Sequence, residues 1–215
     1  MEYILMDLDG TITDSREGIT KCFQYALHHF GIEVDDLSTL EQYIGPPLER
    51  SFREGFGFEP EAAKRAVEIY RERFVPIGMY ENYVYPGIEQ ALQKLKEAGK
   101  VLIVATSKPE FMAVRILQHF GLDGYFDDIC GASTDHVRNS KEAVIRYAME
   151  KHNITDTSDV LMVGDRKFDV EGARVCGLKC MGVLYGFGDR DEMEAARADY
   201  IAETVEDMAE QIVAM

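Results

Sequence analysis

Apolar positions along this chain show two textures. From residue 84 onward, short runs rich in Val, Ile and Leu at Lys100–Thr106, Asp127–Gly131, Asp159–Gly164 and Lys179–Tyr185 alternate with helical stretches. Continuous apolar runs of this length suit strands buried on both faces, whereas apolar residues three and four apart mark one face of a helix. The segment after Pro86 carries such a stripe in Ile88, Ala91, Leu92 and Leu95, with Pro86 suited to its first position and Gly99 to its end. Strands alternating with helices predict a parallel sheet covered on both faces.

Residues 14–83 read differently. Ile19, Phe23, Ala26, Leu27 and Phe30 form one helical stripe that stops at Gly31, and Ala63, Ala66, Val67, Tyr70 and Phe74 form another, with no clear strand between them. A block of helices placed directly after a first strand predicts an inserted domain. The expected architecture is therefore α/β: a doubly wound, Rossmann-like parallel sheet from residues 1–13 and 84–215, and an α-helical cap from residues 14–83. Its hinges fall at Thr13–Ser15 and Tyr83–Gly87. The chain has no internal repeat and no low-complexity tract.

The first apolar run ends in Asp7-Leu8-Asp9-Gly10-Thr11. An ionised carboxylate in apolar surroundings is costly unless a cation or hydrogen-bond donors compensate it. Side chains two apart on an extended chain point the same way, so both acids address one locus past the strand's carboxyl end, where open α/β sheets bind ligands. The plainer reading is a solvated Asp-Gly turn. The rest of the chain decides between them. Val101–Ala105 runs out into Thr106-Ser107, Asp128–Gly131 leads through a polar loop to Lys141 at a helix start, and Val160–Val163 ends in Gly164-Asp165 with Asp169 four residues on. Each has a plain explanation: a helix cap, a surface lysine, a turn residue, a helix-start acid. Together those explanations require a coincidence at the same edge of one sheet.

Composition narrows the partners. The 215 residues are 46% hydrophobic, enough for a substantial core, and 23 Lys and Arg face 39 Asp and Glu for a formal charge of −16. Such a surface repels nucleic acids and anionic membranes. An anionic small substrate then needs local positive charge, from a metal or from placed Lys and Arg. Cys22, Cys130, Cys176 and Cys180 lack the companions of a zinc site and read as reduced, mostly buried thiols. No apolar run approaches the ~20 residues of a spanning helix, and no leader pattern opens the chain. A cytoplasmic protein is expected, with nothing that demands more than a monomer and a dimer left open.

Asp7-Leu8-Asp9-Gly10-Thr11, Thr106-Ser107, Lys141 and Gly164-Asp165-Arg166-Lys167-Phe168-Asp169, in this order and spacing, resemble the motifs of the haloacid dehalogenase superfamily of phosphotransferases. The resemblance implies roles. Asp7 is the nucleophile that forms an aspartyl-phosphate, and Asp9 protonates the leaving oxygen and later deprotonates water, its carboxyl raised by anionic neighbours. Mg²⁺ is the implied cofactor, held by Asp7, the backbone carbonyl of Asp9, and Asp165, with Asp169, Gly10 and Gly164 in support. Thr106, the amide of Ser107 and Lys141 hold the phosphoryl oxygens.

The second acid of the first motif points to phosphoryl transfer, because a halide leaving group needs no proton. The 14–83 insert resembles the helical cap of the phosphoglycolate-phosphatase and β-phosphoglucomutase branch, with Thr106-Ser107-Lys108-Pro109 closer to the phosphatase side. A closing cap favours small phosphorylated metabolites over phosphoproteins. Arg50, after the rigid Gly45-Pro46-Pro47 turn, is either a substrate contact or a solvated arginine, and Arg53 reads as solvated. Lys108 is either a second contact to the substrate anion or a helix-entry lysine. The expected function is a Mg²⁺-dependent phosphatase for small phosphomonoesters, phosphoglycolate-like or nucleoside monophosphate. The alternatives are a sugar-phosphate mutase of the β-phosphoglucomutase type and a catalytically silent phosphate or nucleotide sensor.

Overall fold

Six aliphatic segments carry the sheet. In the computed structural model, which describes residues 1–134 and 137–215, they are β1 (Tyr3–Met6), β2 (Val101–Pro109), β3 (Asp128–Ala132), β4 (Val160–Gly164), β5 (Lys179–Val183) and β6 (Tyr200–Ala202). All neighbours pair in parallel, in the order β3-β2-β1-β4-β5-β6. This is the order of doubly wound sheets, whose ligand crevice opens where the strand order reverses, here beside the carboxyl ends of β1 and β4.

Burial on both faces explains the unbroken apolar runs. Leu5, Ile103, Ala105 and Met162 lie on one face, packed with Val144, Ile145 and Ala148 of α6 (Lys141–Lys151) and with Val170 and Ala173 of α7 (Lys167–Val175). Their alternating neighbours Ile4, Met6, Leu102 and Val104 are equally inaccessible to solvent. At roughly 1.5–3 kcal/mol for each fully buried aliphatic side chain, this central layer dominates the favourable side of folding. The remaining core helices are α4 (Ile88–Glu97), α5 (Glu110–His119), α8 (Arg190–Ala196) and α9 (Val205–Val213).

The chain packs as two units, Met1–Thr13 with Val84–Met215, and Asp14–Tyr83. The second is built of α1 (Arg16–His29), α2 (Leu48–Phe56), α3 (Pro60–Phe74) and 3₁₀ turns. Phe23 anchors it, with ring centroids 5.0 Å from Phe52 and 5.3 Å from Tyr70. Phe30, placed in the α1 stripe by its spacing, instead ends the helix and is exposed.

Two local expectations are corrected, and one strand was not foreseen. Pro86 is not the first helical residue: α4 starts at Ile88 after Gly87, whose φ of +87° a side chain would strain. β2 does not run out at Thr106 but continues to Pro109, with a register shift against β3 between Ala105 and Pro109. β6 escaped the sequence reading because three residues, only partly apolar, leave too short a pattern. All four cysteines are buried thiols outside any disulfide. Among the described residues no helix is long and apolar enough to cross a membrane.

Candidate active site

Asp7 extends β1 by one residue, its N–H donating to Val163 O at 2.9 Å. The chain then turns: Leu8 O accepts from the N–H groups of Ile12 (2.9 Å) and Thr13 (3.0 Å). Gly10 is required twice over. Its φ is +84°, and a Cβ there would lie 2.0 Å from Asp165 Oδ2.

Lys141 opens α6, whose N-terminus is capped by Ser140 Oγ accepting from Ala143 N–H at 3.2 Å. That register sends the lysine inward. Its Nζ lies 2.8 Å from Asp7 Oδ2 and 2.8 Å from Asp169 Oδ1, and donates to Ala105 O at 3.1 Å. Burial opposes its charge, but the carboxylates of Asp169 and Asp7 outweigh it and hold the ammonium well above its ordinary range. Lys141 is thus an obligate cation within the site.

Asp165 follows β4 and is inaccessible to solvent. Its Oδ2 accepts from Phe187 N–H at 2.9 Å and its Oδ1 from the Thr11 hydroxyl at 3.4 Å. No lysine or arginine pairs with it among the described residues. Burial, then the charges of Asp169 and Asp7, push its carboxyl well above the usual range. Asp169, in the first turn of α7, accepts from Arg166 N–H at 3.1 Å. Burial pushes it up to about 6, against the pull of Lys141. Gly164 makes room for it, since a Cβ there would meet Asp169 Cγ at 2.1 Å.

Asp7, Asp165 and Asp169 present carboxylate oxygens within 4.8 Å of one another. Three buried acids, only two of them paired with the one ammonium, leave uncompensated negative charge, and every donor is a hard oxygen. The set fits a divalent cation such as Mg²⁺.

Two expected neighbourhoods differ. The carboxylate of Asp169, expected only to support the site, stands in this cluster, whereas that of Asp9 lies elsewhere. Asp9 Oδ2 is 2.7 Å from the Lys108 ammonium, so its closest charged partner is a cation and not the anionic neighbours expected. Its Oδ1 is buried without a hydrogen-bond partner among the described residues. Thr106 is buried with Oγ1 accepting from Lys108 N–H at 3.2 Å, and Ser107 beside it is half-buried. Arg50 belongs to the inserted unit, where its exposed side chain donates to Glu54 Oε2 at 2.9 Å one helical turn on.

The sequence reading missed one segment. Tyr185-Gly186-Phe187-Gly188 follows β5 at the same sheet edge, and its backbone closes over Asp165. A Cβ on Gly186 would lie 2.3 Å from Gly10 O and 2.4 Å from Asp165 Cβ, and one on Gly188 would lie 2.1 Å from Asp165 O. Tyr185 OH donates to Thr11 O at 3.1 Å. Two glycines alternating just past an apolar strand were the available signal of a close backbone approach.

Known proteins resemble this chain over most of its length. The haloacid dehalogenase-like hydrolase family model matches residues 4–183. A 5′-nucleotidase from Pseudomonas aeruginosa is 46% identical over 192 residues, 89% of this chain and 86% of that protein. The tyrosine-protein kinase PtkA of Mycobacterium tuberculosis is 36% identical over 214 residues, 98% of this chain and 72% of that protein. The crystal structure of a predicted phosphatase from Clostridium acetobutylicum superposes with a TM-score of 0.97 at 48% identity, covering 100% of this chain and 99% of that one.

Proposed function

Since the chain belongs to the haloacid dehalogenase-like hydrolases, and is a phosphomonoester hydrolase among them, we propose that it is a Mg²⁺-dependent phosphatase of small phosphomonoesters acting through an aspartyl-phosphate on Asp7. Nucleoside 5′-monophosphates are the proposed substrates, ahead of phosphoglycolate. The 46%-identical 5′-nucleotidase supports that order.

A carboxylate of Asp7 attacks phosphorus as the ester P–O bond breaks, and Asp9 gives its proton to the departing oxygen. Water then attacks the aspartyl-phosphate, losing its proton to Asp9 and releasing inorganic phosphate and free Asp7. Lys141, the Thr106 hydroxyl and the Ser107 amide hold the phosphoryl oxygens, so that positioning and charge neutralisation supply most of the rate. Asp7, Asp165 and the Asp9 carbonyl, supported by Asp169, would hold Mg²⁺, which would supply Lewis-acid stabilisation of the charge that gathers on the phosphoryl oxygens.

One observation carries this reading: the buried cluster of Asp7, Asp165 and Asp169, with Lys141 bridging two of them. Its test is a hydrolysis screen of nucleoside monophosphates, phosphoglycolate, hexose phosphates and pyrophosphate, with Mg²⁺ or with EDTA. Nucleoside monophosphates are expected to turn over fastest, EDTA to abolish turnover, and Asp7→Asn to fall to background. Full activity in Asp7→Asn would overturn the mechanism. Isomerised sugar phosphates in place of free phosphate would reveal a mutase, and label passing from ATP to a tyrosine peptide would reveal a kinase.

A further inference from the structure

Lys108 occupies a place that neither substrate binding nor helix entry explains. A lysine at a helix entrance reaches into solvent, yet the side chain of Lys108 is only 5% exposed. A contact to the substrate anion needs a cation facing the phosphoryl group, yet its Nζ sits 2.7 Å from Asp9 Oδ2. The fold builds this position. Lys108 lies in the stretch where β2 shifts register against β3, and its N–H donates to Thr106 Oγ1. Its carbonyl approaches Gly131 so closely that a Cβ there would lie 2.6 Å from it. Backbone bulges at sheet ends are a common device for re-aiming one side chain.

We propose that Lys108 is a positioning residue for the proton carrier: it anchors Asp9 Oδ2 and thereby leaves Oδ1 as the oxygen that carries the proton. The inference rests on the assignment of Asp9 as acid and base. In the first half-reaction the Asp7–phosphorus bond forms, the ester bond breaks, and the proton on Oδ1 moves to the leaving oxygen. In the second, a proton returns from water to the same Oδ1. Throughout both, Oδ2 stays on the ammonium, which fixes the carboxyl plane and holds this carboxylate apart from the Asp7–Asp165–Asp169 cluster. Oδ1 is buried and lacks a hydrogen-bond partner among the described residues, as an oxygen reserved for substrate requires.

The experiment exploits leaving groups. A nucleoside alkoxide must be protonated as it departs, whereas 4-nitrophenolate leaves as a stable anion. The readout is the ratio of kcat/KM for a nucleoside monophosphate to kcat/KM for 4-nitrophenyl phosphate. Both values come from one preparation with Mg²⁺, so any loss of folded protein cancels, and both report the step in which the leaving group departs. Lys108→Met is expected to lower kcat/KM for the nucleoside monophosphate roughly 10²-fold, the low end of the range for general acid catalysis, and that for the nitrophenyl ester less than about 5-fold. Asp9→Asn should move the ratio in the same direction. An equal fall for both esters in Lys108→Met would make the lysine a phosphoryl contact and overturn the proposal, as would an unchanged ratio with full activity. If Asp9→Asn leaves the ratio unmoved, the assignment of Asp9 itself fails, and the role of Lys108 falls with it.

Discussion

In the proposed mechanism Lys141 does more than neutralise a phosphate. Its ammonium holds Asp7 and Asp169 at 2.8 Å each, so the proposed nucleophile is oriented and one of three neighbouring carboxylates is compensated before any ligand arrives. Removing one partner of a buried ion pair is worse than removing both, because the remaining charge stays buried and unpaired. Lys141→Met, of similar length and apolar, should therefore cost roughly 3–5 kcal/mol of unfolding free energy in EDTA. Mg²⁺ should restore part of that loss by compensating the same carboxylates, but not the activity. Loss of a preorganised donor to the phosphoryl oxygens should leave turnover at saturating Mg²⁺ down by roughly 10²-fold or more. Urea unfolding with and without Mg²⁺, paired with kcat, checks both halves. Near wild-type turnover in a stably folded Lys141→Met protein would remove the lysine from the chemistry.

At the scale of elements, Asp165, the acid proposed to hold the metal, is held by a loop rather than by a strand. Tyr185–Gly188 brings the Phe187 N–H to Asp165 Oδ2, and Gly186 passes too close to Gly10 and Asp165 for any side chain. Gly186→Ala should force the loop outward, break that hydrogen bond and shrink the rise in Tm that Mg²⁺ produces. Gly124→Ala is the control: a Cβ there meets nothing within 4 Å, and its effect should stay within about 0.5 kcal/mol. An equal response of both variants to Mg²⁺ in a thermal scan would count against the loop. This loop also marks where the sequence stops being legible. The order of strands and helices could be read because burial on both faces of β1, β2 and β4 forces unbroken apolar runs. Asp7 and Asp165 stood out because acids follow such runs at no structural advantage. Lys108 on Asp9, and Asp169 inside the cluster, could not be read. Both depend on a register shift and on a helix docking against another strand, contacts between residues 99 and 162 positions apart in the chain. Local periodicity carries no record of such pairings.

The whole molecule bears the electrostatic consequence of its site. Part of the acidic excess behind the formal charge of −16 is buried in the site, and the carboxyl of Asp165 rises well above its ordinary 3.8. When the folded pKa of an acid exceeds its unfolded pKa, the native state binds the proton more tightly, so stability falls as pH rises through the window between them. The cost of Asp165 is thus absent below about pH 4 and fully present above its raised folded value. Asp128 and Glu81 act in the opposite sense. Burial works against their charges, but Lys151 and His152 hold Asp128 low, and Arg73 and Lys21 hold Glu81 low. Their contribution is lost on acidification. A bare pH profile mixes the two signs, whereas the difference between wild type and Asp165→Asn cancels what both share. In EDTA at about pH 8, Asp165→Asn should be the more stable protein, and its advantage should vanish towards about pH 4. Millimolar Mg²⁺ should reverse the order at the higher pH, because a ligand that binds only the folded state adds RT ln(1 + [L]/Kd), a gain the variant forgoes. Urea midpoints of both proteins at the two pH values, with and without Mg²⁺, measure this directly. A variant less stable than wild type in EDTA at the higher pH would mean that Asp165 is held by its neighbours for stability and not for a cation.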